Sequence, residues 1–328
     1  MSSPKTLRAS VVQAACSQYD AEKTLDKLER LTQLAKDRDG AQLVVFPEGY
    51  PMQRTFGAIV GNRTPEGREE FRRYFDGAID VPGPEITRIE NVSNKTGVFL
   101  IVGVIERGGN TLYCTIVFVD PVEGYVGKHR KLMPTAMERL IWGQEMGPRS
   151  QCWRDHLNLL LINPSQPNFL RQYAGQENYM PLCASFLYDF LVGANETPVR
   201  YFYYSKGTQI YCAPTVDARP VWQHTMRHIA IEGRCFVLAA CQFAQEKDYP
   251  PDHPVADPQA RNAENVMIAG GSVIVNPFGE VLAGPLLDAE GVLTAELDLN
   301  ECTRGKFDLD VAGHYARPDV FGFTANVA

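Results

Sequence analysis

The chain has 328 residues, of which 45% are hydrophobic and 22% are charged, and its formal net charge is -7. This length and composition suffice for a substantial core. By size the chain could form one large α/β domain or two smaller ones, and because no shift of composition marks a linker, we expect a single domain over residues 1–328. The acidic balance gives no electrostatic reason to expect a nucleic-acid partner. No run of about 18 apolar residues occurs, so the sequence predicts no membrane span.

The cysteine content bears on the compartment of the protein. The cysteines have no paired spacing, and they are Cys16, Cys114, Cys152, Cys183, Cys212, Cys235, Cys241 and Cys302. The N-terminal residues lack the long apolar segment of a secretory signal. We therefore expect a reduced, cytoplasmic protein whose thiols are mostly buried.

In the first half of the chain, short apolar runs alternate with one segment of helical periodicity. Leucines on one face predict an amphipathic helix over Ala21–Lys36. The Gly108-Gly109-Asn110 turn, between two runs rich in β-branched and aromatic residues, predicts a hairpin. The predicted strands are Leu7–Ala14, Gln42–Phe46, Val98–Glu106, Thr111–Val119 and Tyr125–His129.

The second half repeats this alternation. A helix is predicted over Val221–Glu232, and Pro277-Phe278-Gly279 predicts the turn of another hairpin. The predicted strands are Thr208–Ala213, Cys235–Cys241, Gly271–Asn276, Glu280–Ala283 and Gly291–Leu297. Hairpins combined with strand–helix units favour an α/β fold, with a mixed sheet and helices packed outside it.

Two stretches break the alternation, Glu145–Gln176 and Cys183–Pro198. The first has clusters of Pro, Asn and Gln around one apolar run. The second has an apolar first half followed by the turn-like GANETP. Neither is needed to complete the sheet, so we interpret both as surface insertions.

Three segments carry candidate chemistry. In VVFPEGYP, Glu48 follows a strand end, at the rim where open α/β sheets place ligands, although a lone glutamate there is more often solvated. In GKHRKLMPTAMERLIWGQ, Lys131 precedes Glu138, and Pro134-Thr135 predicts a helical turn that carries this glutamate. A lone KHRK run is typical of a solvated face or an anion-binding patch. The third segment combines ENYMPL with GTQIYCAPTVDARPVW. Taken alone, the CAPT within it would be interpreted as an ordinary strand end.

Together these segments resemble the nitrilase branch of the carbon–nitrogen hydrolase superfamily, and plant-type nitrilases in particular. The resemblance runs from Leu7 to about Pro318, outside the two insertions. The phrases that carry it are LVVFPE, GNRTPEGREEF, AIDVPGPE, GVIERGGNTLYCTIVF, GKHRKLMPTAMERLIWG, ENYMPL, KGTQIYCAPTVDARPVWQHTMRHIAIEGRCFVLAACQF, AGGSVIVNPFGEVLAGP and KFDLDVAGHYARPDVF.

The resemblance implies a four-layer αββα sandwich and a nitrile substrate, with no metal and no cofactor. It implies hydrolysis to a carboxylic acid and ammonia through a cysteine thioimidate. Glu48 matches the general base, Lys131 the residue that stabilises charge on the substrate nitrogen, and Glu138 a second glutamate that orients the lysine and the substrate. Family members form oligomers, so a homo-oligomer is expected.

The chain departs from this pattern at the nucleophile. The family places it in Cys-Trp-Glu-Asn, and here Glu177-Asn178 keeps the end of that phrase, while Gly175 and Gln176 stand at the first two positions. Cys152 and Cys183 are the alternative thiols. Cys152-Trp153 reproduces the family's dipeptide, but Arg154 follows in place of glutamate, and Cys183 begins the second insertion. The chain is therefore predicted to lack the nucleophile. The alternative function is a catalytically inactive scaffold or oligomer subunit.

Two further departures affect the same region. Glu48 runs directly into Gly49-Tyr50-Pro51, so the loop after it is shorter than in the family. Because the resemblance implies a strand pair where 145–176 stands, we expect that stretch to be poorly packed and the sheet to be narrowed beside it. The abrupt boundaries of both insertions are also typical of translated non-coding sequence or a shifted reading frame. A transcript that encodes both stretches would contradict that hypothesis.

One other pattern suggests different chemistry. His224 and His228 are spaced i, i+4 on a predicted helix, which suits a metal pair. No carboxylate or cysteine set accompanies them, so a pair on the helix surface is the favoured interpretation. No phosphate-binding loop or serine-hydrolase elbow is present.

Overall fold

The computed structural model describes residues 6–49, 63–144, 197–252 and 258–324. Within these ranges the strands are β1 Thr6–Gln13, β2 Leu43–Val45, β3 Phe99–Gly108, β4 Thr111–Asp120, β5 Gly124–Arg130, β6 Ile210–Cys212, β7 Phe236–Ala239, β8 Phe243–Gln245, β9 Val266–Val275, β10 Val281–Leu287 and β11 Gly291–Asp298. The α-helices are α1 Ala21–Asp39, α2 Pro65–Asp76, α3 Pro84–Thr96, α4 Thr197–Ser205, α5 Val221–Gly233 and α6 Asn300–Gly305.

The strands form two sheets. The first has the order β11-β1-β2-β3-β4-β5, in which β2 runs parallel to β1 and β3, and β4 pairs antiparallel with both β3 and β5. The second has the order β10-β9-β7-β6, with β8 also paired to β9. β1 and β11 pair antiparallel over their whole length, which ties the last strand of the chain to its first.

Alternating side chains in the strands separate an inner from an outer layer. In β3, Phe99 and Ile101 face the central core between the sheets, and Leu100 and Val102 face a second core beneath the helices α1 and α3. Strands of the second sheet alternate in the same way. Phe236 lies in the central core, and its neighbour Val237 packs under α5. The architecture is therefore the αββα sandwich that the resemblance implies.

The helices on the outside are held by local signals. Asp20 caps α1 by accepting a hydrogen bond from the main-chain N–H of Lys23 at 2.9 Å. Gly40 ends this helix in the left-handed conformation with φ 67°. Thr64 caps α2 ahead of a proline in its first turn. Among the described helices, none is both long enough and apolar enough to cross a membrane.

The predicted strands and the two predicted helices are present, with ends shifted by a few residues. The second insertion needs a correction at its end. Thr197 and Pro198, predicted to lie in a turn, begin helix α4. The rest of that insertion, and the whole of 145–176 with its predicted poor packing, lie outside the described residues.

Candidate active site

Glu48 lies between the two sheets, just beyond the end of β2. The strand runs on for one more residue, since the N–H of Phe46 donates to the carbonyl of Ile101 at 2.8 Å. Glu48 is 1% exposed, so the interpretation of a solvated loop glutamate is wrong. The fully buried Gln242 reaches across from the second sheet, and its Nε2 donates to the main-chain oxygen of Glu48 at 2.7 Å. The second sheet thus helps to fix the backbone that carries this carboxylate.

Lys131 enters the same site from the end of β5. Its ammonium lies 2.8 Å from Oε2 of Glu138 and 3.7 Å from Oε1 of Glu48, and all three side chains are at most 2% exposed. The indole ring of Trp142 adds a further contact, with its centroid 5.6 Å from the ammonium. The structure therefore brings together the three charged residues singled out in the sequence.

Glu138 is held by a short 3₁₀ helix, Ala136–Leu140. The main-chain N–H of Thr135 donates to Oε2 of Glu138 at 2.6 Å, and the Thr135 hydroxyl contacts the same oxygen at 3.1 Å. This arrangement is a capping box. It lies in the helical turn that the Pro134-Thr135 pair predicted. It fixes the carboxylate that contacts Lys131.

The charge state of Lys131 follows from competing effects. Burial lowers the pKa of its ammonium, but the carboxylates of Glu48 and Glu138 raise it and outweigh the burial, so the pKa is above the ordinary value. Lys131 therefore remains an ammonium throughout the neutral range. It can stabilise negative charge that develops on a bound molecule.

Cys114 is a residue of the site that the sequence did not single out. It lies in β4 with 1% exposure, and its Sγ donates a hydrogen bond to Oε1 of Glu48 over 3.3 Å. Burial and the neighbouring Glu48 carboxylate raise the pKa of this thiol well above its usual value. In the sequence, Cys114 is one residue of an apolar strand. Only the register of that strand with its neighbours reveals the contact with Glu48.

The other cations of the KHRK run do not form a solvated face. Lys128 and Arg130 both contact Oε1 of the buried Glu106, at 2.7 Å and 2.5 Å. His129 is 2% exposed. Although burial opposes it, Arg130 and Lys128 lower the pKa of Glu106 below its ordinary value. This cluster ties β3 to β5 beside the site.

The Glu106 cluster predicts how stability depends on pH. A carboxyl whose pKa is lowered by folding stabilises the protein above its unfolded value, and this contribution is lost as the pH falls through the folded value. Glu106→Gln is expected to cost about 3 kcal/mol at neutral pH, because two cations lose their charged partner. The difference from the unsubstituted chain should shrink in acid, below the ordinary pKa of 4.5.

Urea unfolding across that pH range measures the effect. Glu296→Gln is the matched control, because the pair of Glu296 with Arg8 is 55% exposed on both sides and such a pair contributes less than about 1 kcal/mol. Equal effects of the two substitutions, or a Glu106→Gln difference that does not change with pH, would show that the cluster does not stabilise the fold.

The remaining candidates divide between those in the described residues and those outside them. His224 and His228 are exposed on α5, and no group of three or more possible metal ligands occurs in the part of the chain described here. The favoured interpretation as a pair on the helix surface is confirmed. Cys212 is fully buried in the central core. The segment that carries Gly175, Cys152 and Cys183 lies outside the described residues, so the missing nucleophile stays a prediction.

Comparison with known proteins gives the family. The model of the carbon–nitrogen hydrolase family matches residues 8–307. The chain belongs to the carbon–nitrogen hydrolase family. An arylacetonitrilase of Trametes versicolor is 62% identical over 323 residues, which cover 97% of this chain and 96% of that protein. A bifunctional nitrilase/nitrile hydratase of Nicotiana tabacum is 48% identical over 325 residues, covering 97% and 86%.

These relatives place the chain in the nitrilase branch of the family. Enzymes of this branch hydrolyse carbon–nitrogen bonds other than peptide bonds. Solved structures agree on the fold. A carbon–nitrogen hydrolase of Helicobacter pylori superimposes with a TM-score of 0.66 at 17% identity, covering 97% of both chains. Nit3 of Saccharomyces cerevisiae superimposes with a TM-score of 0.63 at 15% identity, covering 95% and 97%.

Proposed function

We propose that this site belongs to the hydrolysis of a nitrile to a carboxylic acid and ammonia. The observation that carries the proposal is the buried Lys131 ammonium between the carboxylates of Glu48 and Glu138. A nitrile carbon is a weak electrophile, so its hydrolysis needs an activated thiol and a cation for the nitrogen. The site provides the base and the cation in one water-excluded cluster.

In the proposed mechanism, Glu48 takes the proton of a cysteine thiol as the sulfur adds to the nitrile carbon. Lys131 stabilises the negative charge that develops on the nitrogen, and Glu138 holds Lys131 in place. Water then adds to the thioimidate, ammonia leaves, and a second water releases the carboxylic acid from the thioester. Glu48 activates both waters, because it has returned its first proton to the leaving nitrogen.

The substrate class is proposed from the relatives. Because the Trametes versicolor relative is named an arylacetonitrilase, we expect arylacetonitriles to be better substrates than aliphatic nitriles or cyanoalanine. Because the 328-residue chain itself is predicted to lack the nucleophile, the comparison uses initial rates of ammonia release by the chain whose residues 145–196 are exchanged for the aligned segment of that relative.

The presence or absence of a nucleophilic cysteine separates two candidate functions. Gly175 has no side chain to attack a nitrile, which favours a chain that keeps the acid–base residues and has no nucleophile. We therefore propose that the 328-residue chain is a nitrilase-type protein whose hydrolysis is blocked at this step. The inactive scaffold, as a subunit of an oligomer, is the second candidate.

Ammonia release by the purified chain tests this proposal. With phenylacetonitrile as substrate, we expect no more ammonia from the chain than from its Lys131→Met variant, since both lack a complete site. Ammonia release that Cys152→Ala or Cys183→Ala abolishes would contradict the missing nucleophile and identify the thiol. Release that both substitutions leave unchanged would contradict the thioimidate mechanism itself.

Three broader properties are proposals of the same kind. We propose a homo-oligomer, as the resemblance implies, and a single carbon–nitrogen hydrolase domain over residues 1–328. We propose a cytoplasmic location, because the six cysteines in the described residues are all buried and form no disulfide with one another, as in a reducing compartment.

A further inference from the structure

Cys114 contacts both members of the central ion pair of the site. Its thiol donates to Oε1 of Glu48 over 3.3 Å, and its main-chain carbonyl accepts from the N–H of Lys131 at 2.7 Å. Oε1 of Glu48 is also the atom that lies 3.7 Å from the Lys131 ammonium. One residue therefore holds the carboxylate by its side chain and the lysine by its backbone.

The strand register explains this double contact. β4 and β5 pair antiparallel with Thr115 opposite Arg130, so the next step along the ladder sets Cys114 opposite Lys131. The inward face of β4 also places Cys114 in the central core. A side chain at this position is directed towards the end of β2, where Glu48 lies.

The protonation state of Cys114 suits a donor. Burial and the Glu48 carboxylate raise the pKa of the thiol, so the proton stays on sulfur at neutral pH. A neutral thiol is a weak donor, but a hydrogen bond to an ionised carboxylate is stronger than one to a neutral acceptor. The same properties make Cys114 a poor thiolate, which separates it from a nucleophile.

We propose that Cys114 is a positioning residue that sets the orientation of the Glu48 carboxylate relative to Lys131. The proposal rests on the nitrilase-type function for its meaning in catalysis, but the contact itself exists without any substrate. A base that must take a proton from one thiol and pass it to the substrate nitrogen needs a fixed orientation, because a small misplacement costs a large part of the rate.

Infrared difference spectroscopy of the intact chain tests the proposal. The spectrum of the unsubstituted chain minus that of Glu48→Gln isolates the carboxylate bands of Glu48. These bands are expected to shift in Cys114→Ala and to return towards their original position in Cys114→Ser, whose hydroxyl restores a donor. Cys212→Ala is the matched control, since Cys212 is an equally buried cysteine of the same core and its pKa is raised by burial alone.

The S–H stretching band gives a second readout that survives a folding defect of Cys114→Ala. The S–H band of Cys114, isolated by subtracting the spectrum of Cys114→Ser, should lie at lower frequency than that of Cys212, isolated with Cys212→Ala. In Glu48→Gln the Cys114 band should shift towards the frequency of the Cys212 band. Equal S–H frequencies for the two cysteines, or Glu48 bands that Cys114→Ala leaves in place, would overturn the proposal. Since no nitrile is present, either result leaves the proposed hydrolysis untouched, and a failure of hydrolysis leaves these bands unchanged.

Discussion

Replacing Lys131 with methionine is expected to remove about 3–5 kcal/mol from the free energy of unfolding at neutral pH. The substitution keeps an unbranched side chain of similar length but leaves the carboxylates of Glu48 and Glu138 buried with no cation between them. Two carboxylates that have lost their shared cation, in a site that is at most 2% exposed, repel each other and are not solvated by water. The folded variant should therefore bind a proton that the unsubstituted chain does not.

The pH dependence separates this explanation from a loss of packing. In the unsubstituted chain the pKa of Lys131 is raised, so its contribution is complete below the ordinary lysine value of 10.5 and is lost only as the pH rises through the folded value. In the variant, stability should rise as the pH falls and the carboxylates become protonated. The difference between the two chains should therefore narrow in acid.

Urea unfolding at several pH values is the measurement, and Lys128→Met is its control. Lys128 precedes Lys131 by three residues, and its partner Glu106 keeps Arg130 as a second cation when the lysine is removed. The control should cost clearly less than Lys131→Met, and its own free energy of unfolding should not rise as the pH falls, because Arg130 still pairs with Glu106. A Lys131→Met variant that is as stable as the control at every pH would show that the three charged groups are not coupled.

The second large effect concerns Glu48 as a base. Exchanging residues 145–196 for the aligned segment of the Trametes versicolor arylacetonitrilase leaves the described residues unaltered, and we expect that segment to supply the cysteine nucleophile that the nitrilase resemblance implies. Glu48→Gln in the exchanged chain is expected to lower kcat by about 10²–10⁴-fold, which is the range for removing general acid–base catalysis. An amide of the same shape cannot take the thiol proton.

The control for this effect is a glutamate of similar burial outside the site. Glu106→Gln in the exchanged chain should change stability more than kcat, because Glu106 contacts Lys128 and Arg130 rather than Lys131. Turnover of phenylacetonitrile under conditions where both variants remain folded is the readout. Equal losses of kcat in the two variants would show that Glu48 acts through the fold and not as a base.

The sequence predicted much of the fold because its strands have clear signals. The hairpin of β3 and β4 has a glycine-rich turn between β-branched runs, and the structure pairs these strands along their length. Helices α2 and α3 were not predicted. Each begins with a proline in its first turn, after Thr64 and Gly83, and this start signal could have found them.

The charged residues of the site could be predicted from the sequence, but the contact of Cys114 could not. Glu48, Lys131 and Glu138 stand out because the phrases that contain them resemble the nitrilase branch, whereas Glu48 alone would be interpreted as a solvated glutamate. The structure places the three side chains together. Cys114 carries no such signal, because a cysteine in a strand is usually a core residue. Its contact with Glu48 depends on strand register, and the β4–β5 ladder contains an irregularity at Phe118 and Val119 that spacing alone does not reveal.

Buried charge was also missed in the KHRK run. The acidic partner of Lys128 and Arg130 is Glu106, which ends the apolar run of β3 more than twenty residues earlier. Local sequence shows the cations but not the carboxylate. The prediction of a solvated face was therefore wrong, because Lys128 and Arg130 of β5 pair with Glu106 of β3 across the intervening β4.

We propose that the described residues form the acid–base part of a nitrilase site and that segment 145–196 lacks its nucleophile. Ammonia release from phenylacetonitrile, compared between the 328-residue chain and the chain with that segment exchanged, tests this claim most directly. We predict no release by the former and sustained release by the latter, with the release lost in Glu48→Gln. Release by the unexchanged chain, or none from a folded exchanged chain, would contradict the account.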